Sequence, residues 1–447
     1  MIYFVLRDFR LGESGFVNGG SKHTINILKG LKHIGCDYSV VTLNFRPDVE
    51  TSIIKKETQY GSLIEINHNI SIDQWKQPEI INLIKSLLTE LPPTPSLFHL
   101  RDLGSDLGSW IEALENTEHK IIFHSVDYAW LCARSHLLTF EDKQCSGPKN
   151  VNSCLNCFFS HRELSKSLVL RTILTFSHAP KSFLQLLPSK AKKKLNSAIS
   201  KRRITEQRIN DLKQDFQRVD ALIVHSQILG KYFQENNFPP DKIFHVPTGI
   251  ETGKKITDSE RPNLSDGIVF GFAGKLTYDK GLDILINALS NLRMKTLRTI
   301  KLIVYSRPHE SGFGQEILKV IKSQEWITLD QYDGRNTESI DKAHQKIHFM
   351  VACSRWTDNL PNTVLEAVCR QTPMIAPNQG CFPEMITEGI NGWFYDVEDT
   401  GLEKLLGKIL EKPNQYLELP FSNSKMRTPI EEAEDIVKIY QKLKKEN

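Results

Sequence analysis

Asp358 and Glu366 stand eight positions apart in WTDNLPNTVLEAVCRQTPMIAP, on either side of a helix start marked by Pro361. Proline suits the first helical turn, where its missing N–H costs nothing. The amides of Asn362, Thr363 and Val364, at the positive end of that helix, are then placed to face an anion. Lys275 and Lys280, in GKLTYDKG, would add two full positive charges. A carboxylate accepts from paired hydroxyls, so Asp358 and Glu366 offer hydroxyl contacts flanking the anion. Plainer readings make Asp358 the N-cap of the helix and the two lysines part of a solvated loop.

Other residues with chemical potential lie earlier. Gly19 and Gly20 open the first helical pattern, and glycine lets backbone approach a ligand closely. His124 ends an apolar run, at the kind of strand C-terminus where α/β proteins hold ligands; His99 and Arg101 are its rivals. Cys132, Cys145, Cys154 and Cys157 form C-x12-C-x8-C-x2-C, which suits a structural tetrahedral zinc; free thiols or a labile disulfide are the other readings. Cys36, Cys353, Cys369 and Cys381 read as packing residues. Between Lys190 and Arg208 there are eight cations and one acid. That segment is either a solvated helix face or a dock for anionic lipid.

The elements that must position these groups follow a repeat. IYFVL, a Gly-containing loop, HTINILKGLKHIG and YSVVTL make a β–loop–α–β unit, and SLFHL, KIIFHS, ALIVHS and KIFHV read as further buried strands. The pattern restarts at GIVFGFAGKL and runs through IKLIVYS, HFMVACS, TPMIAP and GWFYD. Two α/β halves therefore join near Val246–Thr257. We expect an N-terminal Rossmann-like domain over 1–247, carrying the Cys-rich loop 132–157 and the basic segment 190–208. A second such domain covers 248–428, and a helix over 429–447 has Ile436, Ile439, Tyr440 and Leu443 at helical spacing.

A chain of 447 residues is long enough for two such domains. Its 40% apolar and 25% charged content argues against disorder, and a net charge of +4 does not demand nucleic acid. The basic run lacks the aromatic interleaving of a nucleic-acid binder. Neither a signal peptide nor an apolar run long enough to span a membrane is read, so a cytoplasmic protein is expected.

Five segments in order, across nearly the whole chain, resemble retaining glycosyltransferases of family 4, which have the GT-B fold: NGGSKHTINILKGLKHIG, ALIVHSQILGKYF, HVPTGIE, GFAGKLTYDKGLDILINAL and DNLPNTVLEAVCRQTPMIAPNQGCFPEMITEGINGWFY. The resemblance implies two Rossmann-like doubly wound domains facing across a cleft, with the final helix crossing back to the first. It implies transfer of a sugar, with retention, from a UDP- or GDP-sugar to a glycan, lipid-linked or small-molecule acceptor, as in polysaccharide biosynthesis. No catalytic metal is implied. Gly19 and Gly20 would face the donor phosphate and acceptor, Glu366 would hold the ribose hydroxyls, and Asp358 and His124 would contact the donor sugar. Lys275 and Lys280 would stabilise the leaving phosphate. The basic segment would touch the inner membrane face. Lys275 stands where arginine is common and Asp358 where glutamate is common, which keeps both charges; IKLIVYSRPHE lacks the usual Gly-x-Gly, which bears on the nucleobase pocket. The competing reading is a non-catalytic nucleotide-sugar binding protein of the same fold.

Overall fold

The computed structural model describes residues 1–7, 19–139, 141–158, 189–307, 312–331, 333–334, 336–398, 400–422 and 426–445. Two sheets organise the chain. The first contains β1 (Ile2–Leu6), β2 (Ser39–Phe45), β3 (Ser52–Thr58), β4 (Gly61–His68), β5 (Leu97–Arg101), β6 (Lys120–His124), β7 (Ala221–Val224) and β8 (Ile243–His245), in the order β3-β4-β2-β1-β5-β6-β7-β8. The second contains β9 (Ile268–Ala273), β10 (Ile300–Tyr305), β11 (Ile327–Asp330), β12 (Phe349–Val351), β13 (Met374–Pro377) and β14 (Gly392–Tyr395), in the order β11-β10-β9-β12-β13-β14. All pairings are parallel except β3 with β4.

The central strand β1 reads as an unbroken apolar run because helices cover both faces, and all five residues of β1 and of β5 are buried, His99 and Arg101 included. The hairpin β3–β4 and the edge strand β11 were not among the strands expected. The middle of β3, SIIKKET, is largely exposed, so it lacks the continuous apolar run of a buried strand.

The helix Pro429–Lys445 packs on the helix Gly19–His33, against the first sheet and not the second. Its Ala433, Ile436, Ile439, Tyr440 and Leu443 are buried with Phe4, Val40 and Ile223. The approach is close: a Cβ on Gly30 would lie 2.2 Å from the Pro429 carbonyl oxygen. No helix of the described residues is long and apolar enough to cross a membrane.

Candidate active site

Segments that follow strands of the two sheets meet: Asn359, after β12, bonds the Val126 carbonyl, after β6. After β9 the chain turns through Tyr278–Lys280 to Gly281, which sits at φ +67, where a Cβ would lie 2.0 Å from the Cys353 carbonyl oxygen. That turn delivers Lys280 to the segment following β12. Its ammonium donates to Asp358 Oδ2 at 2.7 Å and lies 5.1 Å from the Trp356 ring centroid. Ser354 Oγ donates to the same carboxylate oxygen at 3.0 Å, and the Asn359 amide to Oδ1 at 3.1 Å. Burial pulls the Lys280 pKa down, but the charge and hydrogen bond of Asp358, with Asp279 behind them, more than offset it, so Lys280 stays charged. Lys275 is exposed and does not join this pair; its charge acts on Asp102 of the first half.

The helix after Asp358 covers Asn362–Cys369 and has Pro361 at its N-cap, with no side-chain cap. Asp358 is therefore not the cap. Val364 is a correction to the expected set of anion-facing amides: its N–H donates to the Pro361 carbonyl at 2.9 Å, because the first turn is tight. Asn362 and Thr363 open the helix. Thr363 Oγ1 also ties the helix to β9 by donating to the Ala273 carbonyl at 3.3 Å.

Glu366 is buried in that helix, and Lys22 reaches it across the cleft at 2.7 Å. Lys22 lies two residues beyond Gly20, in the first turn of the helix that Gly19 and Gly20 open. It was missed in the sequence, although GGSK held the signal. The residues of the loop before Gly19 lie outside the described ones. Further bonds join the halves around this point. Asn359 Nδ2 donates to the Val126 carbonyl at 2.7 Å, and Gln144 hydrogen-bonds Thr357. The Glu384 carboxylate accepts from the amides of Gln227 and Ile228 at 2.7 and 2.9 Å, at the positive end of the helix Gln227–Glu235.

His124 is fully buried and is not beside Asp358 in the hydrogen-bond network. It belongs to a histidine row that runs from His99 in the middle of β5 through the end of β6 to His225 just after β7, while its other rival, Arg101, ends β5 outside the row. His99 Nδ1 meets the Tyr440 hydroxyl at 2.6 Å, His99 Nε2 meets His124 Nδ1 at 3.0 Å, and His124 Nε2 faces His225 Nδ1 at 3.5 Å. Arg101 donates to His23 Nδ1 at 2.7 Å and to Thr24 Oγ1 at 3.0 Å. His23 Nε2 bonds Glu432 at 2.6 Å, and Glu432 also accepts from the Gly249 amide at 2.7 Å. Burial, reinforced by the Arg101 charge, holds the pKa values of His23, His99 and His124 well below the usual histidine value.

Burial pushes Glu432 up to about 8. Its folded pKa lies above the unfolded one, so the folded chain holds a proton that the unfolded chain loses first. Stability should therefore fall as the pH rises from the ordinary carboxylate range to about 8. Relative to Glu432→Gln, the parent is expected to lose on the order of a few kcal/mol between pH 5 and pH 9. Urea unfolding of both proteins at the two pH values checks this; parallel curves would refute it.

Cys132, Cys145, Cys154 and Cys157 form no disulfide among the described residues and are half-buried. A zinc site with bonds of about 2.3 Å needs its sulfurs roughly 4 Å apart. No three of these four lie within 4.8 Å of one another in the structure. Cys145 Sγ and Cys157 Sγ instead donate to backbone carbonyls of Gly147 and Ser153. Among the described residues, the group that does bring ligand atoms within 4.8 Å is His23, His225 and Glu432. The Arg101 guanidinium on His23 makes that a hydrogen-bonded set unsuited to a cation. The basic segment is not one free face. Arg208 is buried with Nη1 donating to the Ala129 carbonyl, and Arg203 pairs with Asp73 at 3.0 Å. The side chains of residues 190–195 lie outside the described ones.

Comparison with known proteins agrees with this architecture. The whole chain superposes on sucrose-phosphate synthase from Thermosynechococcus elongatus with a TM-score of 0.67 at 13% identity, covering 100% of both chains. It superposes on Anabaena HepE in complex with UDP and glucose with a TM-score of 0.59 at 12% identity, covering 99% of this chain and 100% of that one. The fold is GT-B, the two-domain fold of these glycosyltransferases. Within it, residues 254–423 match the family of glycosyl transferases group 1, so the second half carries that domain. A stretch of 184 residues is 29% identical to lipopolysaccharide 1,2-N-acetylglucosaminetransferase of Salmonella typhimurium. That stretch is 38% of this chain and spans about half (48%) of that relative.

Proposed function

We propose that the chain is a retaining glycosyltransferase that moves a sugar from a UDP- or GDP-sugar to a glycan, lipid-linked or small-molecule acceptor. The observation that carries this is the pairing of Lys280 with Asp358 and of Lys22 with Glu366, at 2.7 Å each, around the start of one helix. Two carboxylates and two ammoniums converge there on a helix N-terminus that favours an anion. A nucleotide diphosphate sugar has matching parts: a pyrophosphate for the lysines and amides, and hydroxylated rings on either side for the acids. The Thr363 helix start and Lys280 would take the charge growing on the departing phosphate, and Lys22 would join them on release from Glu366. Lys275 would reach the same phosphate from its exposed turn. His124 would act from behind the cleft, through His225. Exposed Ile199 and Lys201 support a peripheral contact of the basic segment with a lipid surface.

A panel of nucleotide sugars in a thermal-shift and product-release assay tests the reading. Stabilisation by at least one donor with release of its nucleotide diphosphate is expected. Stabilisation without turnover favours the non-catalytic binding protein. Glu366→Gln is expected to weaken nucleotide diphosphate binding roughly tenfold, since a hydrogen bond to a charged group is worth about 1.5–3 kcal/mol. Calorimetry measures it, and an unchanged Kd removes Glu366 from the donor site.

A further inference from the structure

Arg208 is 3% exposed, and its guanidinium Nε and Nη2 have no hydrogen-bond partner among the described residues. Only Nη1 is used, donating to the Ala129 carbonyl at 3.2 Å. Thr205 lies one turn earlier on the same face of the helix Ser189–Arg218, and its Oγ1 is likewise buried without a partner. A buried donor left unpaired costs about 1–3 kcal/mol, and more when it is charged. This guanidinium therefore calls for an anion.

Among the described residues the acidic groups that act on Arg208 are not carboxylates but the thiols of Cys132 and Cys154. Cys154 in turn feels both Cys132 and Cys145. It sits with Cys157 on the helix Val151–Phe158, which packs on the helix that carries Arg208. A neutral thiol offers a guanidinium only a weak acceptor, whereas a metal-bound thiolate is an anion. Four thiolates select zinc, and together they carry more negative charge than the ion neutralises. A buried guanidinium, with a hydroxyl beside it, then stabilises the centre by donating to sulfur. At His23 the opposite holds, because there the guanidinium meets a neutral ring.

We propose that Cys132, Cys145, Cys154 and Cys157 hold a zinc ion as thiolates, with the Arg208 guanidinium as the charge partner of the thiolate shell. Loading draws the sulfurs together and releases the thiol protons to water. Cys145 and Cys157 give up their weak bonds to the Gly147 and Ser153 carbonyls in exchange. The site does not rest on the glycosyltransferase reading.

The ion would have a positioning task. The loop between Cys132 and Cys145 reaches the second half at three places. Tyr278 donates its hydroxyl proton to Asp142, Gln144 Nε2 donates to the Arg355 carbonyl at 3.3 Å, and the His136 ring lies 4.9 Å from the Trp356 ring. Tyr278 begins the turn that ends at Lys280, and the Lys280 ammonium lies over Trp356. Zinc at the feet of this loop fixes the strap that seats Lys280.

Elemental analysis of the full chain, purified under reducing conditions without chelator and reconstituted with zinc, should find about one zinc per chain. Cobalt in its place should show thiolate-to-cobalt charge-transfer absorption. Mass mapping after iodoacetamide should find Cys132, Cys145, Cys154 and Cys157 shielded in the zinc-loaded protein and reactive after stripping. Cys36 and Cys369, half-buried outside the loop, should react alike in both states. Hydrogen exchange across residues 136–144 should quicken on stripping. In chelator competition Arg208→Gln should weaken zinc binding at least about tenfold, as loss of an outer-shell partner does, and Arg208→Lys should recover part of it. Melting curves of the zinc-loaded variants should show both folded. Zinc content near zero, a cobalt spectrum without the thiolate band, or alkylation indifferent to stripping overturns the metal site. Unchanged zinc affinity in Arg208→Gln overturns the role of Arg208.

Discussion

Lys280→Ala is expected to lower kcat at least about tenfold, because one fixed charge at a leaving phosphate is worth more than about 1.4 kcal/mol. The side chain is only 27% exposed, and Asp358, its partner at 2.7 Å, is 3% exposed. Removing the ammonium leaves that carboxylate with Ser354 Oγ and the Asn359 amide alone. Breaking a buried pair costs up to about 3–5 kcal/mol, so the variant should also melt earlier. A second variant separates the two effects. Lys280→Ala with Asp358→Asn removes both charges, so it should recover much of the stability and none of the turnover. Turnover by purified Lys280→Ala within twofold of the parent would show that the lysine only holds Asp358 in place.

Deleting Pro429–Asn447 is expected to unfold the first half while leaving the second half folded. The helix Pro429–Lys445 buries Ala433, Ile436, Ile439, Tyr440 and Leu443 among residues of the first sheet. At about 1.5–3 kcal/mol for each large apolar side chain, their loss rivals the whole stability of a typical domain, about 5–15 kcal/mol. Glu432 would go with them, and its bonds to His23 and to the Gly249 amide tie this helix to the first helix and to the crossing between the halves. Truncation should therefore abolish activity and remove the unfolding transition of the first half. The core built on Ile268, Phe270, Leu285 and Val351 draws nothing from this helix, so the second transition should survive. Calorimetry of both proteins, with scattering profiles in the presence and absence of nucleotide diphosphate, decides it. A truncated chain that keeps both transitions, compacts with nucleotide and turns over normally would show that the helix is only a tail.

Much of the site was legible because its information is local. Asp358, Pro361 and Glu366 lie on one short segment, and the strand before it and the helix within it follow from apolar spacing alone. The Gly19–His33 helix, β1 and β9 are legible for the same reason. The edge strand β3 was not, because a strand exposed to water carries no apolar run.

By itself, the sequence determined the βαβ repeat in each half, the Asp358 and Glu366 flanks of the helix start, and the amphipathic face of the last helix. Each depends on residues within a few turns of one another. Tertiary structure alone decided what these groups meet. Lys22 and Glu366 are 344 residues apart, His99 and Tyr440 are 341 apart, and Gln227 and Glu384 are 157 apart. No periodicity encodes such pairs. The four cysteines show the same division: the folded chain brings Cys132, Cys145 and Cys154 near enough to act on one another electrostatically, although no three of the four sulfurs lie within 4.8 Å of one another. His124 stands at a strand end as its sequence suggests, but the pairing of β5, β6 and β7 sets Arg101 and Ile223 opposite it, so that His99 and His225, each two residues along from those partners, reach it diagonally and bury it between them.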